Sequence, residues 1–239
     1  MASTTRPARL GHANRIIASL PDPEFERLSA GMEQVQLHSR LFLFLRDQPL
    51  THVYFPLSGM VSLITTMQGG ASVEMGTVGR EGVVGVPMIA QSEPVASMDA
   101  VVQLPGEAVM VPTDTFRAAL PEAPMLADLV QRFADALFRM VGQNAACNRL
   151  HTTDERLSRW LLMTSDRAES EVFPLTHEFL SQMLGVRRAS VSEAAEGLHG
   201  EDLIRYHRGV ISLVDRPGLE RRACECYQVI RTVFDRALP

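Results

Sequence analysis

Short apolar runs broken by glycine and proline dominate the chain between positions 37 and 111. Turn signals recur about every 8 to 12 residues, a spacing typical of an antiparallel β-sandwich or barrel. The QGG segment at 68–70 predicts a hairpin turn, because glycine tolerates the positive φ that tight turns need, and Gly106 marks another turn. The runs are LFLFL, HVYFP, GMVSLITT, GGASVEMGTVG, EGVVGVP and AVVQLPGEAVMVP. They predict an antiparallel β domain over residues 1–123.

From Pro124 onward the apolar positions recur every three or four residues, which predicts one helix over residues 124–150 with an apolar face about five turns long. Such a stripe can be buried on the β domain of its own chain or on a twin helix in a dimer. We expect the dimer seam, formed by Leu126, Leu129, Val130, Phe133, Leu137, Met140 and Asn144.

The TTDE sequence at 152–155 predicts a capping box, in which Thr152 caps the amide of Glu155 and the glutamate reaches back. Leu157, Trp160 and Leu161 then define the apolar face of a further helix. Trp160, the only tryptophan, is expected in the core. These signals open a third region over residues 151–239.

A helix-turn-helix pattern lies within this third region. Thr176 is a plausible N-cap, and Gly185 supplies the left-handed residue that ends a first helix of about eight residues. The second helix turns Val191, Ala194, Ala195 and Leu198 inward and leaves Arg187 and Arg188 outward or at its N-terminal end. The segment DLIRYHRGVISLV then predicts two strands around the HRG turn at 207–209, like the wing of a winged helix.

This geometry suits double-stranded DNA, because such a helix enters the major groove, where arginine can read guanine, while its N-terminal amides meet phosphate. The alternative is a small α+β packing unit with a solvated, charged helix end. The candidate DNA-contacting residues are Thr176, His177, Arg187, Arg188, Ser190, Val191, Ser192, Glu193, Arg205 and Arg208.

Overall composition is that of a globular protein, with 46% hydrophobic and 21% charged residues. No apolar segment is long enough for a signal peptide core or a membrane span, so the cytoplasm is the expected location. The net charge of −5 argues mildly against DNA binding. From Arg149 onward the chain contains 13 arginines and 14 acidic residues. DNA binding would therefore need a locally basic surface.

The three cysteines, Cys147, Cys224 and Cys226, are an odd number, which argues against a disulfide framework and fits a reducing compartment. Helix packing is the simplest role for them, redox sensing is the alternative, and the Cys224–Cys226 pair alone is a weak metal signal. We therefore predict no metal site. The sequence also contains no nucleophile elbow, P-loop or metal-binding histidine pair, so we expect no enzyme.

The chain resembles the Crp/Fnr family of bacterial transcription regulators over nearly its whole length. The resemblance is carried by HVYFPLSGMVSLI and SVEMGTVGREGVVG in front, and by LTHEFLSQMLGVRRASVSEAAEGL followed by GLE and CECY behind. It implies an α+β fold with a jelly-roll-like β-roll of the cyclic-nucleotide-binding type, a long dimerisation helix and a winged helix-turn-helix. It also implies a homodimer on near-palindromic DNA, with RNA polymerase as a partner.

The resemblance further places an effector pocket in the β-roll. Gly79, Glu81, Gly82 and Gly85 resemble the front of the family's nucleotide-binding cassette, and its Arg-Ser pair falls on Ala96 and Ser97. Without that arginine a cyclic phosphate loses its charge-assisted contact, which argues against cyclic AMP. An unidentified small effector is the remaining expectation.

Other family cofactors fit the sequence poorly. No cysteine precedes Cys147, which argues against the N-terminal iron–sulfur cluster of some members. Haem would need axial ligands such as His12, His38 or His52, but these are lone histidines without a paired ligand pattern.

Two functional hypotheses remain after this comparison. In the first, the chain is a sequence-specific regulator, whose Arg188 matches the family's guanine-reading arginine while Ala189 replaces the following glutamate. In the second, it is a ligand-binding β-roll module whose C-terminal helices dock on a protein partner. The acidic net charge motivates this second hypothesis.

Overall fold

The computed structural model describes residues 13–86 and 93–239. Its chain divides into two compact units. Of the described residues, the first unit contains 13–61, those of 78–136 and 234–239, and the second contains 62–77 and 137–233. His12, one of the lone histidines considered for haem, lies outside the described residues.

Helices and strands alternate along the chain, and the second half is mainly helical. The elements are α1 (Arg15–Ala18), α2 (Asp22–Ser29), β1 (Glu33–Leu37), β2 (Phe42–Phe44), β3 (His52–Pro56), β4 (Met60–Thr66), β5 (Ser72–Val78), β6 (Asp99–Leu104), β7 (Gly106–Pro112), α3 (Thr113–Ala119), a 3₁₀ turn (Leu120–Glu122), α4 (Pro124–Leu150), α5 (Thr153–Ala168), β8 (Val172–Pro174), α6 (His177–Leu184), α7 (Arg188–Gly200), β9 (Ile204–His207), β10 (Val210–Leu213), α8 (Arg216–Arg222) and α9 (Cys226–Ala237). Among the described residues, none of these helices has the length and apolar character that crossing a bilayer requires.

Antiparallel pairing confirms the predicted β-roll. One sheet has the order β1-β7-β3, with Glu33 opposite Met110 and Val53 opposite Val111, and another has the order β2-β6-β4-β5. The predicted turn at 68–70 is present, and Gly70 adopts a φ of +83°. The run EGVVGVP differs from expectation: in its described part it contributes a single bridge, between Val84 and Tyr54.

The apolar stripe of α4 is buried by its own chain. A Cβ at Gly82 would lie 2.1 Å from the ring of Phe133, and one at Gly76 would lie 2.7 Å from the Cε of Met140. These two glycines therefore leave the space that the side chains of α4 occupy. The Glu24 carboxylate accepts hydrogen bonds from the Met125 and Leu126 amides at 3.2 and 2.9 Å, and so satisfies the free N-terminus of the helix.

Burial of this stripe corrects one sequence-based expectation. The side chains assigned to the dimer seam are all buried within the chain, so they cannot form the open face of an interface; they are Leu126, Leu129, Val130, Phe133, Leu137, Met140 and Asn144. Helical periodicity identified the buried face correctly but did not show what buries it. Of the two alternatives, the packing within one chain is the one observed.

A buried carboxyl group organises the polar interior of the second unit. Glu74 accepts hydrogen bonds from the Trp160 indole at 3.0 Å and from the Ser62 hydroxyl at 2.7 Å. Arg159 lies near enough to favour its charged form, but burial dominates and raises the pKa of Glu74 to about 7. Trp160 is buried, as the sequence predicts.

The raised pKa of Glu74 makes folding stability depend on pH. The unfolded chain loses this proton near its ordinary value of 4.5 while the folded chain keeps it until about pH 7, so the free energy of unfolding falls as pH rises through that window. The fall is up to roughly 3 kcal/mol. In urea titrations followed by Trp160 fluorescence, Glu74→Gln should lose this pH-dependent component.

A matched control is Glu171→Gln, which removes the same charge at an exposed position. It should keep the wild-type dependence on pH between 4.5 and 7. If the free energy of unfolding falls equally with pH in the wild type and in Glu74→Gln, Glu74 is not the source of the pH dependence.

Candidate nucleic-acid interface

The predicted helix-turn-helix is formed by α6 and α7. The Thr176 hydroxyl accepts a hydrogen bond from the Phe179 amide at 3.2 Å, which caps α6 as predicted. Gly185 ends this helix with a φ of +62°. Arg156 of α5 also donates a hydrogen bond to the last carbonyl of α6, that of Leu184. The first helix is therefore fixed at both ends.

The inner face of α7 is the one that the sequence predicts. Val191, Ala194, Ala195 and Leu198 are buried, and they face α5 and α6, the helices that contact α7. Full burial of Val191 removes it from the candidate DNA-contacting surface. Ser190 is half-buried, while Glu193 is exposed.

The N-terminus of α7 is open and carries no negative charge. Arg187 occupies the N-cap position without a side-chain cap, and the first turn contains no acidic residue. The unsatisfied amides and the helix dipole therefore give this end a partial positive charge. Arg187, Arg188 and Ala189 are exposed around it.

A tight hairpin forms the predicted wing. His207 of β9 pairs with Val210 of β10, and the two residues between them, Arg208 and Gly209, have φ values of +47° and +78°. Two positive φ values are typical of the type I′ turn that connects twisted strands. Arg205, His207 and Arg208 are exposed on this hairpin.

A three-residue contact connects the two helices to the wing. The Nδ1 of His177 lies 3.0 Å from the Ser192 hydroxyl, and its ring stacks on Tyr206 with the centroids 4.4 Å apart. Burial, with help from nearby Arg188, lowers the pKa of His177, so this ring stays neutral at physiological pH. His177 and Ser192, predicted to contact DNA, thus contact each other. Tyr206 was missed, because no sequence signal indicates which residue of a wing faces the helices.

Four exposed arginines at these two places form a basic surface, which consists of Arg187, Arg188, Arg205 and Arg208. Their guanidinium groups make no ion pair with any residue in the described parts of the chain. By contrast, Arg216 and Arg222 of α8 pair with acidic groups, Asp166 and Asp154 respectively. The positive charge at the helix end and the wing is therefore left available.

Most of the predicted effector cassette is buried and already has contacts. Glu81 accepts a hydrogen bond from the Gly79 amide at 3.2 Å, and Gly82 faces the ring of Phe133. Gly85 has a φ of +108°, which requires glycine in practice. The effector pocket at these positions stays a prediction.

The position expected for the phosphate-binding arginine does not suit a cyclic phosphate. Ala96 is fully buried and offers only a methyl group, and Ser97 is exposed. Of the other histidines considered for haem, His38 is exposed, and the Nδ1 of His52 lies 2.9 Å from the hydroxyl of the adjacent Thr51.

The three cysteines and His151 form a group that sequence reasoning missed. Their ligand atoms all lie within 4.8 Å of one another. The Cys147 and Cys224 sulfur atoms are 3.6 Å apart, and the hydrogen bond from Cys224 lowers the pKa of Cys147 to about 5. The same bond, together with burial, raises the pKa of Cys224. The prediction of no metal site considered only the Cys224–Cys226 pair and did not foresee that these four residues meet.

Two models of known protein families match the chain. A cyclic nucleotide-binding domain model matches residues 34–122, and a Crp-like helix-turn-helix domain model matches residues 155–222. These are the two domains, in the order, that the resemblance to the Crp/Fnr family implies. Among curated proteins, none matches it by sequence.

Several solved structures share the fold of this chain. FixK2 from Bradyrhizobium japonicum is 18% identical, with a TM-score of 0.69 over 81% of this chain and 98% of its own. The c-di-GMP responsive global regulator CLP from Xanthomonas campestris is 16% identical, with a TM-score of 0.68 over 82% and 100%. A CRP-family transcriptional regulator from Thermus thermophilus is 21% identical, with a TM-score of 0.66 over 79% and 96%.

The contact of His177 with Ser192 and Tyr206 should stabilise the helix-turn-helix and wing. A stacked ring pair and a hydrogen bond each contribute about 1 kcal/mol, so His177→Ala should lower the free energy of unfolding by about 1–2 kcal/mol in urea titrations. The control His207→Ala removes an exposed histidine of the same hairpin. It should change the free energy of unfolding by less than about 0.5 kcal/mol. Similar values for the two variants would show that the contact is energetically unimportant.

Proposed function

We propose that the protein is a sequence-specific, DNA-binding transcription regulator that acts as a homodimer in the cytoplasm. The observation that carries this proposal is the pairing of an uncapped, acid-free N-terminus of α7 with four exposed arginines that have no acidic partner among the described residues. Phosphate oxygens favour such a helix end, and arginine can bind guanine through two hydrogen bonds.

The basic surface has two parts with different roles. Arg188 opens α7 and is our candidate for base contact, and Arg187 precedes it at the N-cap. Arg205 and Arg208 are carried by the wing, where they are positioned for the phosphate backbone. His177 and Ser192 hold these parts in register and contribute to binding through this positioning. The net charge of −5 is no obstacle, because affinity depends on the charge at the contact surface.

The residue after Arg188 affects which sequence is read. In the family pattern a glutamate follows the guanine-reading arginine, and it accepts a hydrogen bond from cytosine. Ala189 is exposed at that position but offers only a methyl group. We therefore infer a preferred DNA sequence that differs from that of family members with the glutamate. Two half-sites about one helical turn apart follow from two-fold symmetry.

The homodimer would use the face of α4 that the chain leaves exposed. Phe138 is 77% exposed, and Gly142 has no atom near the position of a Cβ. Ala134, Val141 and Ala145 share this face at helical spacing, and all are half-buried or exposed. A second copy of the chain is the occupant we propose, because an exposed phenylalanine beside small residues suits close packing of two helices.

The β-roll is our candidate sensor, and its effector is not identified. Cyclic AMP is not proposed, since Ala96 stands where the phosphate needs a cation. The relative CLP is described as responsive to c-di-GMP, so nucleotides other than cyclic AMP are one class of effector to test. An effector would act by shifting the balance between two existing arrangements of the dimer. RNA polymerase is the protein partner that this function implies.

Removal of the two helix arginines tests the DNA assignment. In fluorescence anisotropy on a near-palindromic promoter fragment, Arg187→Ala with Arg188→Ala should weaken binding at least tenfold, since one base contact contributes about 1–3 kcal/mol. The control Arg27→Ala with Arg236→Ala removes two exposed arginines elsewhere. Unchanged affinity in the first double variant would reject the assignment.

The dependence of affinity on salt separates DNA binding from docking on a protein. For the wild type, the logarithm of the affinity should fall linearly with the logarithm of the salt concentration. Arg208→Ala should make this slope shallower by about 1, as expected for one phosphate contact. An affinity independent of salt would favour the alternative, a β-roll module whose C-terminal helices bind a protein.

The dimer face is tested by Phe138→Asp. Burying a carboxylate without a partner is unfavourable, so this variant should be a monomer in sedimentation equilibrium at concentrations where the wild type is a dimer. The control Met67→Asp places the same charge at an exposed apolar residue outside α4 and should remain dimeric. If Phe138→Asp stays dimeric, α4 pairs through another surface or not at all.

A further inference from the structure

Four potential metal ligands from two distant parts of the chain meet in the second unit. Cys147 lies in the last turn of α4, and His151 follows one helical turn later, its amide bonded to the Cys147 carbonyl at 3.1 Å. Cys224 precedes α9 and Cys226 is its first residue. We call these four residues the Cys3His cluster. The three thiols are buried, and the imidazole is only 18% exposed.

Two distances within the cluster match those around a single tetrahedral ion. The Cys147 and Cys224 sulfur atoms are 3.6 Å apart, and the Cys226 sulfur lies 3.6 Å from the Nδ1 of His151. In a tetrahedral zinc site, bonds of about 2.3 Å to sulfur and 2.0–2.1 Å to nitrogen place two sulfurs about 3.8 Å apart and sulfur and nitrogen about 3.6 Å apart. All four ligand atoms lie within 4.8 Å of one another.

Surrounding groups orient the ligands as they do in metal sites. The Nε2 of His151 lies 3.2 Å from the Glu225 carboxylate, which leaves Nδ1 facing the thiols. A metal-bound histidine usually donates its other ring N–H to such a carboxylate. The Gln143 amide also donates a hydrogen bond to the Cys226 sulfur at 3.0 Å. A purely apolar packing role for the cysteines would require neither contact.

The charge of the neighbourhood also suits an anionic site. Three thiolates and one Zn²⁺ ion carry a net charge of −1. Arg156 and Arg159 are buried guanidinium groups of α5 that interact electrostatically with Cys147. Each has a buried Nε atom without a hydrogen-bond partner. A negative site beside these cations would compensate their burial.

We propose that the Cys3His cluster binds one Zn²⁺ ion, with three thiolates and the Nδ1 of His151 as its ligands. The three thiols lose their protons on binding. The imidazole nitrogen occupies the fourth coordination position of the ion, so no position remains for water or substrate. This is the pattern of a structural zinc site. A four-iron cluster needs its ligands around a larger cube, and a Cys147–Cys224 disulfide would leave Cys226 and His151 without a role.

Zinc at this position would connect the end of α4 to the start of α9 and to the turn that precedes α5. Cys147 and Cys224 are 77 positions apart in the sequence, and the ion would bond to both. The ion's binding energy then contributes to the stability of this region. The inference is independent of the proposed DNA binding, since it concerns only these residues and their ion.

The test is metal analysis of the full-length protein purified under reducing conditions. Native mass spectrometry with added ZnCl₂ should show one ion per chain in the wild type, and all three thiols should be protected from alkylation. With Co²⁺ as the probe, the visible spectrum should show the intense bands of a tetrahedral thiolate site. His151→Gln should lose the stoichiometric ion, while the control His38→Gln, at an exposed histidine, should keep it.

Glu225→Gln keeps all four ligands and tests the orienting carboxylate. It should weaken zinc binding about ten- to a hundredfold in competition with a chelator, a change that general unfolding would not produce selectively. Cys226→Ser should abolish zinc binding. If that variant fails to fold, His151→Gln and Glu225→Gln, which keep all three thiols, provide the test. Three outcomes would each overturn the proposal. The wild type could bind neither Zn²⁺ nor Co²⁺, His151→Gln could bind zinc as tightly as the wild type, or the protein could contain a Cys147–Cys224 disulfide and no metal.

Discussion

Burial of the apolar stripe of α4 within its own chain is the constraint on which the architecture depends. The stripe is accommodated because Gly82 and Gly76 present bare backbone to Phe133 and Met140, and because Glu24 satisfies the amides at the start of the helix. With one face occupied, the helix has only its other face to offer a second copy. The buried stripe therefore limits where a dimer contact can form on this helix.

In the helix-turn-helix and wing, some residues hold the elements in place and others leave their charge available. His177, Ser192 and Tyr206 use their polar and aromatic groups on one another, whereas the basic surface makes no ion pair among the described residues. We therefore favour one half of an interface over a solvated helix end as the role of this surface.

Sequence reasoning succeeded where a structure is determined by neighbours in the chain. The cap at Thr176, the left-handed Gly185 and the turn at Gly209 each follow from local chemistry, so the helix-turn-helix and wing could be predicted closely. It failed where distant segments meet. Three contacts depend on the tertiary fold, which no local pattern encodes. They are the packing of the apolar stripe of α4, the stacking of Tyr206 on His177, and the contact of Cys147 with Cys224, 77 positions apart.

Gly82 serves two structural roles, and this restricts how the sequence can diverge. Its carbonyl accepts a hydrogen bond from the Asn14 side chain at 2.9 Å, while its α-carbon lies against the Phe133 ring. Any side chain at position 82 would need a smaller residue at 133, and the backbone shift required would strain the bond to Asn14. Position 82 can therefore gain a side chain only together with a smaller residue at position 133 and a loss or weakening of the bond to Asn14.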